Sequence, residues 1–348
     1  MTGCWRFSPG NPDDVVRYRY SIVDESRNGG KVADASGNAT KCWAPDGTGP
    51  KTLYVSAVDA AGNDSGVTSY RFVVAEAIED AIWTFDARSN PTRDVSVQDT
   101  GSARQPGDMI VRGATWATGP QTLFDAREDD TGLLFAGGDD EDVYSRSRVI
   151  DTSASFVVSA HVRLDKADRP RTAIAQEGST TNRWTIGYQS TGCPDGLNGC
   201  WVFGLRQKDG AAAKVVYSRV KPVQGEWAML LAEYDKQATK MRLWVCSIGT
   251  PDSPHRAEPL RAEGPAPSLV EAAPGQLVVG RGQLNGAATA RWVGAVDNIR
   301  VFKGEVLAPA KIRRVCQGAE ANAVLPAAEY EPSAVQRQLD DLDPTKDS

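Results

Sequence analysis

The chain has 348 residues, 41% of them hydrophobic, and a formal net charge of −6. This length indicates two domains, or three, with enough material for sizeable cores. The negative charge argues against nucleic acid or an anionic membrane surface as a partner, and no apolar run approaches the roughly 20 residues that span a bilayer. The opening residues hold no apolar signal core and resemble the interior of a domain, so we expect a fragment of a longer protein whose signal peptide is not in this chain.

Residues 1–76 have the pattern of a small β domain. Apolar residues recur at every second position in VVRYRYSI (15–22), KTLYVSAVD (51–59) and SYRFVV (69–74). Gly62 and Asn63, the two residue types most tolerant of positive φ, mark a tight turn after the second segment. Period-two alternation interrupted by turn residues predicts an antiparallel β-sandwich.

This first region resembles the bacterial immunoglobulin-like and fibronectin III-like modules of large secreted proteins. The resemblance rests on YRYSIVD, GTGPKTLYVSAVDAAGNDS and YRFVV, and it covers most of the first 75 residues. It implies a spacer or display module rather than an active site.

Residues 77–317 contain many short β segments, and the strongest pattern lies in Asp151–Leu164. Phe156 and every second residue up to Leu164 fall on one face, while Val157 and every second residue up to Arg163 fall on the other. We expect this strand near the middle of a large antiparallel sandwich. GEWAMLLAEYD (225–235) and KMRLWVC (240–246) predict a hairpin around residues 236–239, and residues 306–316 predict one or two helical turns.

The order of these segments resembles the LamG-like jelly roll, a laminin G-type and concanavalin A-like sandwich. The matching stretches are IWTFD, LLFAGGDDEDVYS, IDTSASFVVSAHVRL, GEWAMLLAEYD and WVGAVDNIRVF, which together cover about 80–317. The predicted fold is therefore all-β, an Ig-like sandwich followed by a LamG-like jelly roll. One departure is His161, which stands where the family usually has tryptophan.

Six cysteines indicate the compartment. An even count in β-rich sequence, without a C-x-x-C pair and with only two histidines, favours three disulfides in an oxidising compartment over a zinc site. The alternative is six free thiols in a cytosolic protein. Six cysteines allow fifteen pairings, and the domain division favours Cys4–Cys42, Cys193–Cys200 and Cys246–Cys316.

The LamG-like resemblance implies one structural calcium ion, which needs six to eight oxygen ligands. By analogy with the family, the side-chain ligands would be Asp86, Asp99 and Asp297. The competing interpretation of Asp297 is a carboxylate that accepts hydrogen bonds from backbone amides at a turn. The acidic run Asp139–Asp142 favours a solvated turn over a metal site.

A hydrolytic activity is not predicted. Laminarinase-type glycosidases share the jelly-roll sandwich and carry Glu-x-Asp-x-x-Glu on one strand. The nearest match begins at Glu233 and Asp235 but has Ala238 in place of the last carboxylate. The sequence also contains no Gly-x-Ser-x-Gly, His-Glu-x-x-His or phosphate-binding loop, so we interpret the chain as non-enzymatic.

Two residues are candidates for ligand binding. Trp201 follows a small Gly/Asn/Asp-rich loop that the Cys193–Cys200 disulfide would close, so it could stack on a sugar, with core packing as the alternative. His161 would line a ligand groove if its face of the strand is the concave one, and a packed or rim position is the alternative.

These observations predict a secreted or cell-surface recognition or adhesion module, part of a larger polypeptide, that binds a glycan or a protein on a cell surface. The alternatives are a structural spacer, such as part of a polymorphic-toxin shell, and an accessory domain of a glycoside hydrolase. Residues 318–348 predict a linker or tail, partly disordered or with a short helix near 333–341.

Overall fold

The computed structural model describes residues 3–9, 14–22, 24–43, 49–75, 77–86, 95–102, 107–120, 122–125, 130–250, 252–254, 257–304 and 306–316. The fold is all-β, and these described residues form 25 strands and two short α-helices. The expected domain boundaries near 76 and 317, and the tail at 318–348 with its predicted helix, lie outside the described residues. In the described part of the chain, no helix is both long enough and apolar enough to cross a membrane.

The N-terminal region is a small sandwich of two unequal sheets. A four-stranded sheet of order β3-β2-β5-β6 packs against a two-stranded sheet of β1 and β4. The core between them is small, with Phe7, Tyr18, Ala39 and Leu53 as its buried members. The strands are β1 (Gly3–Phe7), β2 (Val15–Ser21), β3 (Gly29–Val32), β4 (Ala39–Trp43), β5 (Gly49–Asp59) and β6 (Thr68–Val74).

The second region is a large sandwich of a nine-stranded and an eight-stranded sheet. Its early strands and first helix are β7 (Ala81–Trp83), β8 (Val95–Val97), β9 (Met109–Arg112), β10 (Thr115–Thr118), α1 (Thr122–Asp125), β11 (Thr131–Phe135), β12 (Asp142–Ser145), β13 (Phe156–Leu164), β14 (Arg171–Glu177) and β15 (Asn182–Gln189). The remaining elements are β16 (Cys200–Arg206), β17 (Ala213–Tyr217), β18 (Trp227–Asp235), β19 (Lys240–Thr250), β20 (Ser253–Pro254), β21 (Leu260–Pro265), β22 (Leu277–Val279), β23 (Gly282–Leu284), β24 (Ala287–Thr289), β25 (Gly294–Lys303) and α2 (Pro309–Cys316).

The two sheets enclose one extended apolar core. The nine-stranded sheet runs β10-β11-β25-β13-β18-β19-β20, with β7 beside β25 and β21 beside β19, and the eight-stranded sheet runs β17-β16-β15-β14-β22-β12-β9-β8. β13 pairs with β25 on one side and β18 on the other, which confirms its predicted central position. Phe156, Val158, Ala160 and Val162 point into this core, as the alternation predicts. The predicted hairpin is also confirmed, because β18 and β19 pair around residues 236–239.

A third layer covers the side of the nine-stranded sheet that faces away from the inter-sheet core. Val157 of β13 belongs to a second apolar cluster, together with Leu307, Ile312 and Val315 from the C-terminal segment. Pro309 occupies the first position of α2, where its missing N–H is not needed. The central strands of this sheet are therefore buried on both faces.

All six cysteines form disulfides in the pairing predicted from the sequence. Cys4–Cys42 joins β1 to β4, Cys193–Cys200 closes a short loop, and Cys246–Cys316 fastens α2 to β19. The last of these bridges closes the longest loop, with a sequence separation of 70 residues.

Removal of the Cys246–Cys316 bridge should destabilise the large sandwich more than removal of Cys193–Cys200. The chain-entropy model gives about 4 kcal/mol for the long loop and about 2.5 kcal/mol for the short one. We expect the double variant Cys246→Ala/Cys316→Ala to unfold at lower denaturant concentration than Cys193→Ala/Cys200→Ala, measured by tryptophan fluorescence. Peptide mapping without reductant checks the pairing itself, and free thiols in the oxidised protein would contradict it.

Candidate functional site

Trp201 lies in the core, contrary to its predicted role as a ligand platform. It is 2% exposed and packs against Trp292, with ring centroids 6.3 Å apart. The crevice that it lines has a volume of about 30 Å³, which is room for only a few water molecules. A sugar ring cannot enter there, so core packing, the alternative interpretation, describes Trp201. The neighbouring Val202 points outward instead.

His161 is also buried, at 3% exposure, and lies on the side of the nine-stranded sheet that faces away from the inter-sheet core, between Met229 and Asp297 of the neighbouring strands. Burial lowers the pKa of its imidazole to about 3, and the nearby Arg300 guanidinium adds to the effect. His161 is therefore a neutral, packed residue with almost no exposed surface. Ser159 and Asp297, which could suggest a hydrolytic triad with it, are enclosed on the same face, at 1% and 0% exposure.

The three residues predicted for calcium do not form one ligand set. Asp99 accepts hydrogen bonds from the backbone N–H groups of Ile82, Gly101 and Gly107 at 2.9–3.0 Å, so it holds a turn together. Ile82, which donates to Asp99, pairs with Arg300 of β25. Arg300 lies three residues from Asp297 along this strand, which corresponds to a separation of about 10 Å at the rise per residue of a β-strand. Among the described residues, no group of three His, Cys, Asp or Glu side chains is arranged to hold a metal ion.

Glu233 and Asp235 form a buried ionic network rather than an acid–base pair open to substrate. Arg242 donates hydrogen bonds to both carboxylates, and the Leu307 N–H donates to Glu233 at 3.2 Å. Glu233 is fully buried beneath the C-terminal segment. Burial raises the pKa of its carboxyl to about 7, although the Arg242 guanidinium opposes the rise. The network therefore fastens the C-terminal segment to the sheet.

On the eight-stranded sheet, the side that faces away from the core carries side chains that are accessible to solvent. Two loops border this area. On β15, β16 and β17 the residues that alternate with core residues point outward and form lateral rows: Thr185–Gly204–Val215 and Gly187–Val202–Tyr217. Their inward neighbours Trp184, Phe203 and Val216 belong to the core. We call these six outward residues the outer face.

The outer face is apolar in its middle and polar at its ends. Val215 is 37% exposed, and Thr185, Val202 and Tyr217 are half-buried. The two glycines leave room between these side chains. Arg206 continues β16 at one end, and Gln189, opposite Cys200, closes the other. An apolar patch with a polar rim is the usual composition of a binding surface.

Two loops border the outer face. The β23–β24 hairpin is held beside the start of β15 by hydrogen bonds from Gln283 N–H to Asn182 Oδ1 (3.0 Å) and from Gly286 N–H to the Thr180 carbonyl (2.9 Å). The disulfide-closed loop connects β15 to β16 at the Gln189 end. Sequence reasoning missed Val202 and Tyr217, although the alternation in WVFGL and KVVYS was a signal that they share a face.

The chain matches no protein-family model and no curated protein sequence. Among solved structures it is similar to domain 4 of AbnA, a GH43 extracellular arabinanase from Geobacillus stearothermophilus in complex with arabinotriose, at 13% identity and a TM-score of 0.47 over 70% of this chain and 100% of that one. It is also similar to a SAP-like pentraxin from Limulus polyphemus (13% identity, TM-score 0.38, 70% and 84% covered) and to the Ruminococcus gnavus IT-sialidase CBM40 bound to alpha2,3 sialyllactose (11%, 0.37, 53% and 95%). At these scores the likeness assigns no ligand or residue to this chain.

The buried Glu233 should make stability depend on pH. Because its folded pKa of about 7 lies above its ordinary value of 4.5, the folded state binds the proton more tightly, and stability falls as pH rises from about 4.5 to about 7, by up to about 3 kcal/mol. Glu233→Gln should remove this component, measured as the free energy of unfolding at several pH values.

His161 contributes the opposite slope, because its lowered pKa costs stability as pH falls below 6.5. The contribution of Glu233 is therefore obtained as the difference in the free energy of unfolding between wild type and Glu233→Gln at each pH. Glu258→Gln, at an exposed carboxylate, is the control and should leave the pH dependence unchanged. A parallel pH profile for wild type and Glu233→Gln would contradict the prediction.

Proposed function

We propose that the chain is a non-catalytic extracellular recognition module that binds a glycan on the outer face of the eight-stranded sheet. The observation that carries this proposal is the accessible apolar row with Tyr217 at its edge and polar groups at both ends. A tyrosine offers an apolar ring and a polar tip, which suits a ligand with C–H faces and hydroxyl groups.

The extracellular part of the proposal is supported by the disulfides. Three bridges account for all six cysteines, and such bridges persist in oxidising compartments. Attachment to a cell surface, and a role in adhesion alongside other domains of a larger secreted polypeptide, follow as proposals from the same placement.

We also propose that the two sandwiches are an Ig-like domain and a LamG-like jelly roll. The order of sheets and the central place of β13 support this assignment. The non-catalytic part is supported by the positions of the acid–base groups, because Glu233, His161 and Asp297 are all buried in the folded chain.

Substitutions on the outer face should abolish glycan capture without unfolding the protein. Tyr217→Ala removes the ring, and Val202→Glu places a charge in the middle of the apolar row, so each should weaken binding about tenfold or more. Binding is measured for the whole chain on a glycan array and then by titration with the glycan that the array identifies. Leu260→Glu introduces the same charge at an exposed position, 58% accessible, on β21 of the other sheet and should bind like wild type.

Glycan capture should persist in EDTA, because the six outer-face residues include no carboxylate. Capture that EDTA abolishes, or that the two outer-face variants retain, would place the site elsewhere. If wild type binds neither arrayed glycans nor envelope polysaccharides, the recognition proposal fails and the spacer function is favoured.

A further inference from the structure

The N-terminal sandwich contains an open cleft where a fuller sandwich would have core. Its volume is about 830 Å³, and it lies between β1 and the inner faces of β2, β5 and β6. In the large sandwich nearly every inward side chain is fully buried. Here Val15, Val55 and Ala57 are only half-buried, and Tyr70 is 57% exposed although it lines the cleft.

The cleft exists because the two sheets are unequal. Four strands present an inner face, and among the described residues only β1 and β4 cover it. Trp5 and Phe7 of β1 cover the part near Phe72 and Tyr18, with ring centroids 5.2 and 5.3 Å apart. The area beyond β1 lacks a matching strand in the described structure.

The free edge of β1 presents backbone hydrogen-bonding groups toward this area. Cys4 and Cys42 lie opposite each other with Cα atoms 4.0 Å apart, the short spacing of a non-hydrogen-bonded pair. In an antiparallel ladder the residues of such pairs direct their N–H and C=O groups away from the partner strand. Cys4 and Arg6 therefore direct theirs away from β4, to the edge where no described strand pairs.

We propose that this cleft binds an extended peptide strand, which adds to the free edge of β1 as a third strand of the β1–β4 sheet. Its alternate residues are apolar and fill the space above Leu53, Val55 and Tyr70, while its backbone bonds to Cys4 and Arg6. Strand addition at an exposed edge is a general mode of peptide recognition, in which the backbone supplies affinity and alternate pockets supply specificity.

The charges around the cleft indicate that the peptide carries a basic residue. Asp14, Asp59 and Asp64 line it together with one arginine, Arg6. The Asp64 carboxylate is already paired with Arg19, so Asp14 and Asp59 supply the negative charge that the peptide would meet. Asp59 pairs with Val15, which follows Asp14, so these two acids lie at the same end of the sheet. A lysine at the corresponding end of the peptide would meet complementary charge.

The test uses a fluorescent octapeptide in which valine alternates with threonine between terminal lysines, titrated into the whole chain by anisotropy. We expect saturable binding and slower hydrogen exchange of the Cys4 and Arg6 amides. The control peptide has the same sequence with N-methyl groups on alternate amides, which removes backbone donors but keeps the side chains. Tight binding of the N-methylated peptide would show side-chain capture alone and overturn strand addition.

Two matched pairs of variants locate the site. Arg6→Pro deletes the outward N–H at a position where an edge strand tolerates proline, and it should weaken binding about tenfold, whereas Arg6→Ala keeps the N–H and should bind within about twofold of wild type. Tyr70→Ala removes cleft surface and should weaken binding, whereas Val73→Ala, 74% exposed on the opposite face of β6, should not.

Three results would overturn the proposal. One is the absence of binding at about 1 mM peptide. Another is equal binding by Arg6→Pro and Arg6→Ala. The last is concentration-dependent dimerisation that blocks the cleft against the peptide, which would assign it to a second copy of this chain. Thermal unfolding of each variant confirms that the sandwich remains folded.

Discussion

Burial of the nine-stranded sheet on both faces is the constraint on which the large sandwich depends. A strand such as β13 places its even-numbered residues in the inter-sheet core, and Val157 on its opposite face packs with apolar residues of the C-terminal segment. Apolar side chains gain roughly 25 cal/mol per Å² from such burial, but any polar group on the second face must find a partner. The C-terminal segment therefore supplies charge as well as apolar cover.

The polar groups under that cover are paired by residues distant in sequence. Glu79 accepts a hydrogen bond from Arg300 at 2.8 Å and pairs with Lys311 of α2 at 3.5 Å. Burial acts to raise the pKa of Glu79, yet the positive charges of Lys311 and Arg300 outweigh it and lower the pKa. Glu233 fastens the same segment through the Leu307 N–H, and the Cys246–Cys316 bridge holds the end of α2. With this face covered, the binding surface that we propose for the large sandwich lies on the other sheet.

In the small sandwich, by contrast, burial of the larger sheet is incomplete. Its core is small, and its two-stranded sheet leaves part of the facing sheet uncovered. The Cys4–Cys42 bridge links β1 to β4 covalently. It stabilises this strand pairing where few buried side chains are available to stabilise it. An exposed strand edge beside exposed apolar surface invites the pairing of another strand, whereas the well-covered β13 offers no such edge.

The sequence alone determined the local patterns of this protein. Period-two alternation located β13 and the β18–β19 hairpin, because alternation depends on residues close in sequence. The division into two β regions reduced the fifteen possible disulfide pairings to three, and the predicted set among them is the one observed. Alternation also showed that Val157, Ser159 and His161 share one face. It could not show that α2 covers that face, since the helix begins nearly 150 residues later and the covering contacts are tertiary. For the same reason Trp201 and Val202 were distinguishable only in the folded chain: adjacent residues of a strand point to opposite faces, and only the packing of the second sheet decided which face is core and which is open.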